Sequence, residues 1–209
     1  MKPSFQIAAV ACALSLALAG CSQSTPSTSI TESVQQSQNV KQYDAETFFD
    51  TTSIMGSSFS PKGDKILVSS DESGIYSLYE VDIKTAKKTR LTDFEDSTYA
   101  VAYFPQDERV LFTKDSGGNE RYHIYVRETD GTVKDLTPGE ETRAGFAGFT
   151  EDGKQFFITS NQRDAKFMDL YRVDANSYEV TPVYQNTMGL DVGAISPDGR
   201  FIALSKNNS

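Results

Sequence analysis

From residue 43 onward the apolar positions come in short bursts rather than at helical spacing. Lys65 to Ser69 and Gln155 to Thr159 are dense in Ile, Leu, Val and Phe, the pattern of strands buried on both faces. Tyr76 to Val81 and His123 to Arg127 alternate apolar and polar residues, as half-buried strands do. Ala100 to Phe104 and Gly145 to Phe149 end on a Pro or Asp-Gly turn. Thr89 to Leu91 and Val133 to Leu136 follow polar turns such as Thr129-Asp130-Gly131. No segment after residue 21 keeps a 3.6-residue apolar period for three turns, which excludes a helical repeat.

These bursts repeat. Ser60-Pro61-Lys62-Gly63-Asp64-Lys65-Ile66 returns as Phe104-Pro105-Gln106-Asp107-Glu108-Arg109-Val110, as Thr150-Glu151-Asp152-Gly153-Lys154-Gln155-Phe156 and as Ser196-Pro197-Asp198-Gly199-Arg200-Phe201-Ile202. The second residue of each copy falls at 61, 105, 151 and 197, so the spacings are 44, 46 and 46. Leu78-Tyr79, Ile124-Tyr125 and Leu170-Tyr171 keep a beat of 46, and Arg90-Leu91-Thr92 and Asp135-Leu136-Thr137 lie 45 apart. Four short antiparallel strands per period, joined by polar hairpins, predict an all-β chain built as β-propeller blades. Counting landmarks gives three blades and the first two strands of a fourth, so the expected arrangement over residues 43–209 is an incomplete propeller, truncated before closure. Ile195, Phe201, Ile202 and Leu204 would then lack the blade that should cover them.

The first twenty residues read differently. Lys2 precedes an apolar run from Ile7 to Ala19, about 13 residues where a membrane-spanning helix needs roughly 20, so residues 1–20 are expected to be a signal peptide. Leu18-Ala19-Gly20-Cys21 closes that run and resembles the lipobox of bacterial lipoproteins. The resemblance implies cleavage before Cys21, lipid on its sulfur and new amino terminus, and anchorage in the cell envelope. Ser rather than Asp at position 22 points to the outer membrane, facing the periplasm. Three acyl chains exceed the roughly two signals that stable anchoring requires. Residues 21–42, rich in Ser, Thr and Gln, are expected to form a disordered tether with a root-mean-square span of roughly 25 Å.

Composition removes other possibilities. The chain of 209 residues carries 20 Lys plus Arg against 29 Asp plus Glu, and a net charge of −9 leaves nucleic-acid binding without electrostatic support. Of the two cysteines, Cys12 lies in the signal segment and Cys21 is the lipid acceptor, so no disulfide or thiolate metal site is expected. Asp64, Asp107, Asp152 and Asp198 look like a carboxylate set. Each sits in an equivalent turn, where turn chemistry accounts for it, and neither a metal nor a cofactor is expected. No Gly-x-Ser-x-Gly nucleophile elbow occurs. Gly56-Ser57-Ser58-Phe59-Ser60 comes nearest but lacks the closing Gly. His123, the single histidine, matches Ser77 and Asp169 of neighbouring blades. It is expected to be a surface-facing strand residue without triad partners, so no catalytic residue is assigned.

The Ser/Thr-Pro-Asp-Gly signal resembles blades of TolB-type periplasmic propellers. Lipobox, tether, a short lead from Tyr43 to Asp50 and such blades, in that order, resemble a lipoprotein of the prolyl oligopeptidase family of serine peptidases. Lys114-Asp115-Ser116-Gly117-Gly118-Asn119-Glu120-Arg121-Tyr122-His123 is similar to the Gly-Gly-Asn-Glu hairpin in the second blade of those peptidases. That resemblance implies a propeller cap that gates peptide substrates for an α/β-hydrolase domain following the blades and absent here. Asn119 and Glu120 would either fix the hairpin or face the substrate. The competing expectation is a TolB-like lipoprotein that binds partner proteins and has no hydrolase. Membrane contact would come through Cys21 in either case.

Overall fold

The computed structural model describes residues 40–206. The signal segment, Cys21 and all but the last residues of the tether lie outside the described residues. No helix among the described residues is long and apolar enough to cross a membrane.

After a single helical turn, α1 (Ala45–Phe49), the chain is entirely β. β1 (Ile54–Phe59), β2 (Lys65–Ser70), β3 (Ser77–Asp82) and β4 (Lys88–Arg90) form one antiparallel sheet in sequence order. β5 (Thr98–Tyr103), β6 (Val110–Lys114), β7 (His123–Arg127) and β8 (Val133–Asp135) form the second. β9 (Ala144–Phe149), β10 (Gln155–Ser160), β11 (Asp169–Asp174) and β12 (Val180–Tyr184) form the third. β13 (Asp191–Ile195) and β14 (Ile202–Ser205) pair as a two-stranded fourth. The strands therefore lie where the sequence pattern put them, with ends shifted by one or two residues; β7 alternates in burial as expected, whereas β3 buries Ser77, Leu78 and Tyr79 in a row.

The turn between the first two strands of each sheet explains its own residues. Gly63, Gly153 and Gly199 sit at φ of +71°, +65° and +69°, where a Cβ would be strained. Ser60, Thr150 and Ser196 turn their hydroxyls back to accept the amides of Lys65 (3.1 Å), Gln155 (3.2 Å) and Phe201 (2.9 Å). The four aspartates do belong to these turns, but not to one position within them. Asp152 and Asp198 precede the glycine and accept from Thr150 and Ser196, Asp64 follows it and accepts from Ser60, and Asp107 stands in the glycine's place. The Ser196 hydroxyl and the Arg200 amide hold Asp198 down at about 2. In the second blade Phe104 replaces the hydroxyl residue, and Asp107 accepts the Arg109 amide at 3.0 Å instead.

The Leu-Thr landmark is equally physical. Thr92 and Thr137 are buried, and their hydroxyls accept the amides of Leu78 and Ile124, both at 2.9 Å. The first blade passes to the second and the second to the third by an equivalent backbone bond, Thr98 to the Tyr76 carbonyl and Ala144 to the Tyr122 carbonyl, both 2.8 Å. Every innermost strand also carries a bulge that the sequence pattern did not announce. The unpaired residues are Ser57, Val101, Ala147 and Gly193, spaced 44, 46 and 46 like the turns. Bulges sharpen strand twist, so a repeated bulge bends each blade alike.

The core lies between sheets. Leu67 and Leu78 of the first pack with Tyr103, Val110 and Phe112 of the second. Phe104, Leu111, Ile124 and Val126 of the second pack with Phe156, Ile158, Tyr171 and Val173 of the third. On the two-stranded sheet Phe201 is 69% exposed and Leu204 38%.

Candidate functional site

Antiparallel order puts the β2–β3, β6–β7 and β10–β11 hairpins, together with the linkers between blades, at one end of the sheets. The Ser-Pro-type turns lie at the other end. Three depressions gather at the hairpin end, around residues 115–121. A cavity of about 340 Å³ is lined by Lys114, Ser116, Asn119, Arg121, His123 and Tyr125. A second, of about 310 Å³, lies between the first two blades and is lined by Tyr99, Tyr122, Glu95, Asp96, Asp115 and Glu120. A third, again about 310 Å³, lies between blades two and three beside Arg121, Arg143, Asn161 and Glu141.

The hairpin owes its shape to side chains that replace a ladder. Asp115 is 7% exposed and accepts the Glu120 amide at 2.9 Å. Asn119 Oδ1 accepts the amides of Ser116 (3.4 Å) and Arg121 (3.0 Å). Gly117, Gly118 and Glu120 all have positive φ, at +61°, +74° and +57°. The loop is also tied to its neighbour: Asp96 accepts the Gly117 amide at 2.9 Å and the Lys114 ammonium at 3.2 Å. Those two donors, the amide foremost, hold the Asp96 carboxyl below its ordinary value. The Glu120 side chain itself is exposed and ends in no hydrogen bond or ion pair among the described residues. Asn119→Ala removes both acceptor bonds, and the expected result is faster amide exchange at Ser116 and Arg121 with the blade strands unaffected. Hydrogen exchange followed by NMR checks this, and unchanged protection at both amides would show that the loop holds without Asn119.

His123 corrects the sequence reading. Its side chain is 16% exposed rather than surface-facing, and Nδ1 lies 2.8 Å from Asp135 Oδ2. Asp135 comes from the next strand, twelve residues on, and its other oxygen accepts the Thr137 amide at 2.9 Å. A polar residue on an alternating strand can meet its cross-strand neighbour, which a one-strand reading does not show. The ring stacks on Tyr125 at 6.3 Å, and burial together with Asp135 pushes that phenol up to about 12. No serine hydroxyl is hydrogen-bonded to His123 among the described residues, and no three metal-ligating side chains converge there.

Comparison with known proteins fits this geometry. No family model matches the chain. TolB from Acinetobacter baumannii superposes with a TM-score of 0.54 at 26% identity, over 75% of this chain and 38% of that one. Porphyromonas gingivalis dipeptidyl peptidase 4 superposes with a TM-score of 0.51 at 16% identity, over 68% and 21%. The fold is a β-propeller. Over 83 residues, 39% of this chain, it is also 36% identical to dipeptidyl aminopeptidase BIII of Pseudoxanthomonas mexicana, and that stretch is 12% of the relative's length. Over that stretch this propeller chain is a homologue of a dipeptidyl aminopeptidase, and it spans well under half the length of each of these three relatives.

Proposed function

We propose that these blades are the propeller cap of a lipid-anchored serine peptidase of the prolyl oligopeptidase kind. In this reading the hairpin end faces a hydrolase domain and limits entry to peptides, and Cys21 holds the protein at the periplasmic face of the outer membrane. The observation that carries it is the 36% identity to an aminopeptidase. The Gly-Gly-Asn-Glu hairpin, surrounded by three cavities, supports it. The 26% identity to TolB favours a second reading, a propeller module that binds a partner protein and has no hydrolase.

The two separate in one experiment on the native protein. Envelope fractions are treated with a fluorescent fluorophosphonate, and the protein is captured with antibody against residues 43–206. The peptidase reading expects a labelled species larger than this chain in the membrane fraction, moved to the soluble fraction by Cys21→Ser. An unlabelled species that brings down an envelope protein would favour the binding module and sink the peptidase cap. Membrane partitioning indifferent to Cys21→Ser would remove the lipid anchor.

A further inference from the structure

The depression between the first two blades differs in kind from the one beside it. Tyr99 and Tyr122 line it with ring centroids 6.0 Å apart, Tyr76 packs against Tyr99 at 5.3 Å, and all three residues are half-buried. Tyr76 is fixed by donating to Ser53 Oγ at 2.9 Å. Four carboxylates stand around Tyr99 and Tyr122. Asp96 is occupied by the Gly117 amide and Lys114, and Asp115 by the Glu120 amide. Glu95 and Glu120 are exposed and bear no ion pair among the described residues. Of the nearby cations, Lys114 is engaged by Asp96 and the Asp115 carbonyl, and Arg121 by Glu141 and the Glu140 carbonyl. Burial foremost, then the Tyr99 phenol and the carboxylates of Asp115 and Glu120, pushes the Tyr122 phenol upward.

The repeat itself does not demand this arrangement. Stepping 46 residues along the chain, Tyr99 becomes Gly145, Tyr122 becomes Met168, Asp96 becomes Thr142, Asp115 becomes Asn161 and Glu120 becomes Lys166. The next depression carries Arg121 and Arg143 beside Glu120 and Glu141. Of the carboxylates Glu95 alone is matched there, by Glu141, so the tyrosine pair with its two aspartates belongs to the first interface among the described blades. An aromatic face attracts a cation, and carboxylates hold it in place. A planar guanidinium suits both, because it stacks on rings and accepts fork-like pairing with carboxylates.

We propose that the tyrosine-lined cavity between blades one and two is a binding site for an arginine side chain of a peptide, with Tyr99 and Tyr122 as stacking faces and Glu95 and Glu120 as the paired anions. The proposal does not depend on a hydrolase domain and stands under either functional reading.

The test uses the full-length protein in detergent and three peptides: acetyl-Gly-Arg-Gly-amide, the same peptide with citrulline for arginine, and uncapped Gly-Gly. Titration calorimetry is expected to show the arginine peptide binding about tenfold or more tighter than its neutral citrulline twin. The double variant Glu95→Gln/Glu120→Gln is expected to lose about the same factor while folding normally, since both side chains are exposed. Glu151→Gln, an exposed carboxylate at the opposite end, is expected to change nothing. Equal binding of arginine and citrulline peptides, affinity indifferent to the double variant, or no binding at millimolar peptide would each overturn the site. Binding of Gly-Gly but not of the capped arginine peptide would make it an amine site and overturn it equally.

Discussion

Phe104→Ala is expected to cost about 3–5 kcal/mol of folding stability, the range for emptying a buried phenylalanine site. Phe104 is 1% exposed and lies at the centre of the second interface. Its ring meets Phe149 at 5.3 Å, Phe156 at 5.8 Å and Tyr178 at 6.4 Å, all edge-on, and the Arg109 guanidinium sits 4.1 Å above it. Arg109 in turn donates to the Ala175 carbonyl (2.7 Å) and the Tyr178 hydroxyl (2.6 Å), and Tyr178 donates to Glu128 at 2.6 Å. Removing the ring therefore empties a cavity and loosens a polar clamp between two blades. Phe104→Ser is the informative companion. It restores the turn hydroxyl found at Ser60, Thr150 and Ser196, so it should recover about 1 kcal/mol of the loss and no more. Phe201→Ala, at 69% exposure, is expected to cost far less. Urea unfolding of the three variants decides it: a Phe104→Ala midpoint close to that of Phe201→Ala would mean that the interface does not rest on this ring.

The contrast between Phe104 and its neighbours also shows why the blades were legible. Turn residues, the Leu-Thr pair and the alternating third strand each satisfy a local hydrogen bond or one face of one strand, so each leaves a mark at a fixed spacing. The recurrent bulge at Ser57, Val101, Ala147 and Gly193 leaves none, because a bulge accepts almost any residue and these four share no chemistry. The hairpin was legible as a motif, since Gly117 and Gly118 must take positive φ. Its cavities were not, because they form between separate segments, as where Glu95 and Tyr99 on one side meet Glu120 and Tyr122 on the other. The His123–Asp135 pair escaped for the same reason, being made across strands rather than along one.

That third-strand position leads to the second large effect. Ser77, His123 and Asp169 occupy the same socket in successive blades, and each finds a different partner. Arg90 donates to Ser77 at 3.0 Å, Asp135 meets His123, and Arg163 donates to Asp169 at 2.9 Å. Asp169 is 3% exposed and also accepts the Asn186 amide at 2.8 Å and the Tyr171 hydroxyl at 3.3 Å. The Arg163 guanidinium holds its carboxyl below the ordinary aspartate value, against the upward push of burial. Asp169→Ala should therefore cost about 2–3 kcal/mol at neutral pH, the range for charged hydrogen bonds whose partners are left behind. The sign of the pH dependence follows from the lowered pKa. The carboxylate's contribution is complete above the unfolded value of about 3.9, and it is lost as the pH falls through the lower folded value. Parent and Asp169→Ala are thus expected to differ fully at pH 7 and pH 5 and to converge in stronger acid. Urea unfolding across that range reads the gap directly. A gap that persists undiminished well below pH 3 would assign the effect to packing rather than to charge, while no gap at pH 7 would mean that water replaces the carboxylate without cost.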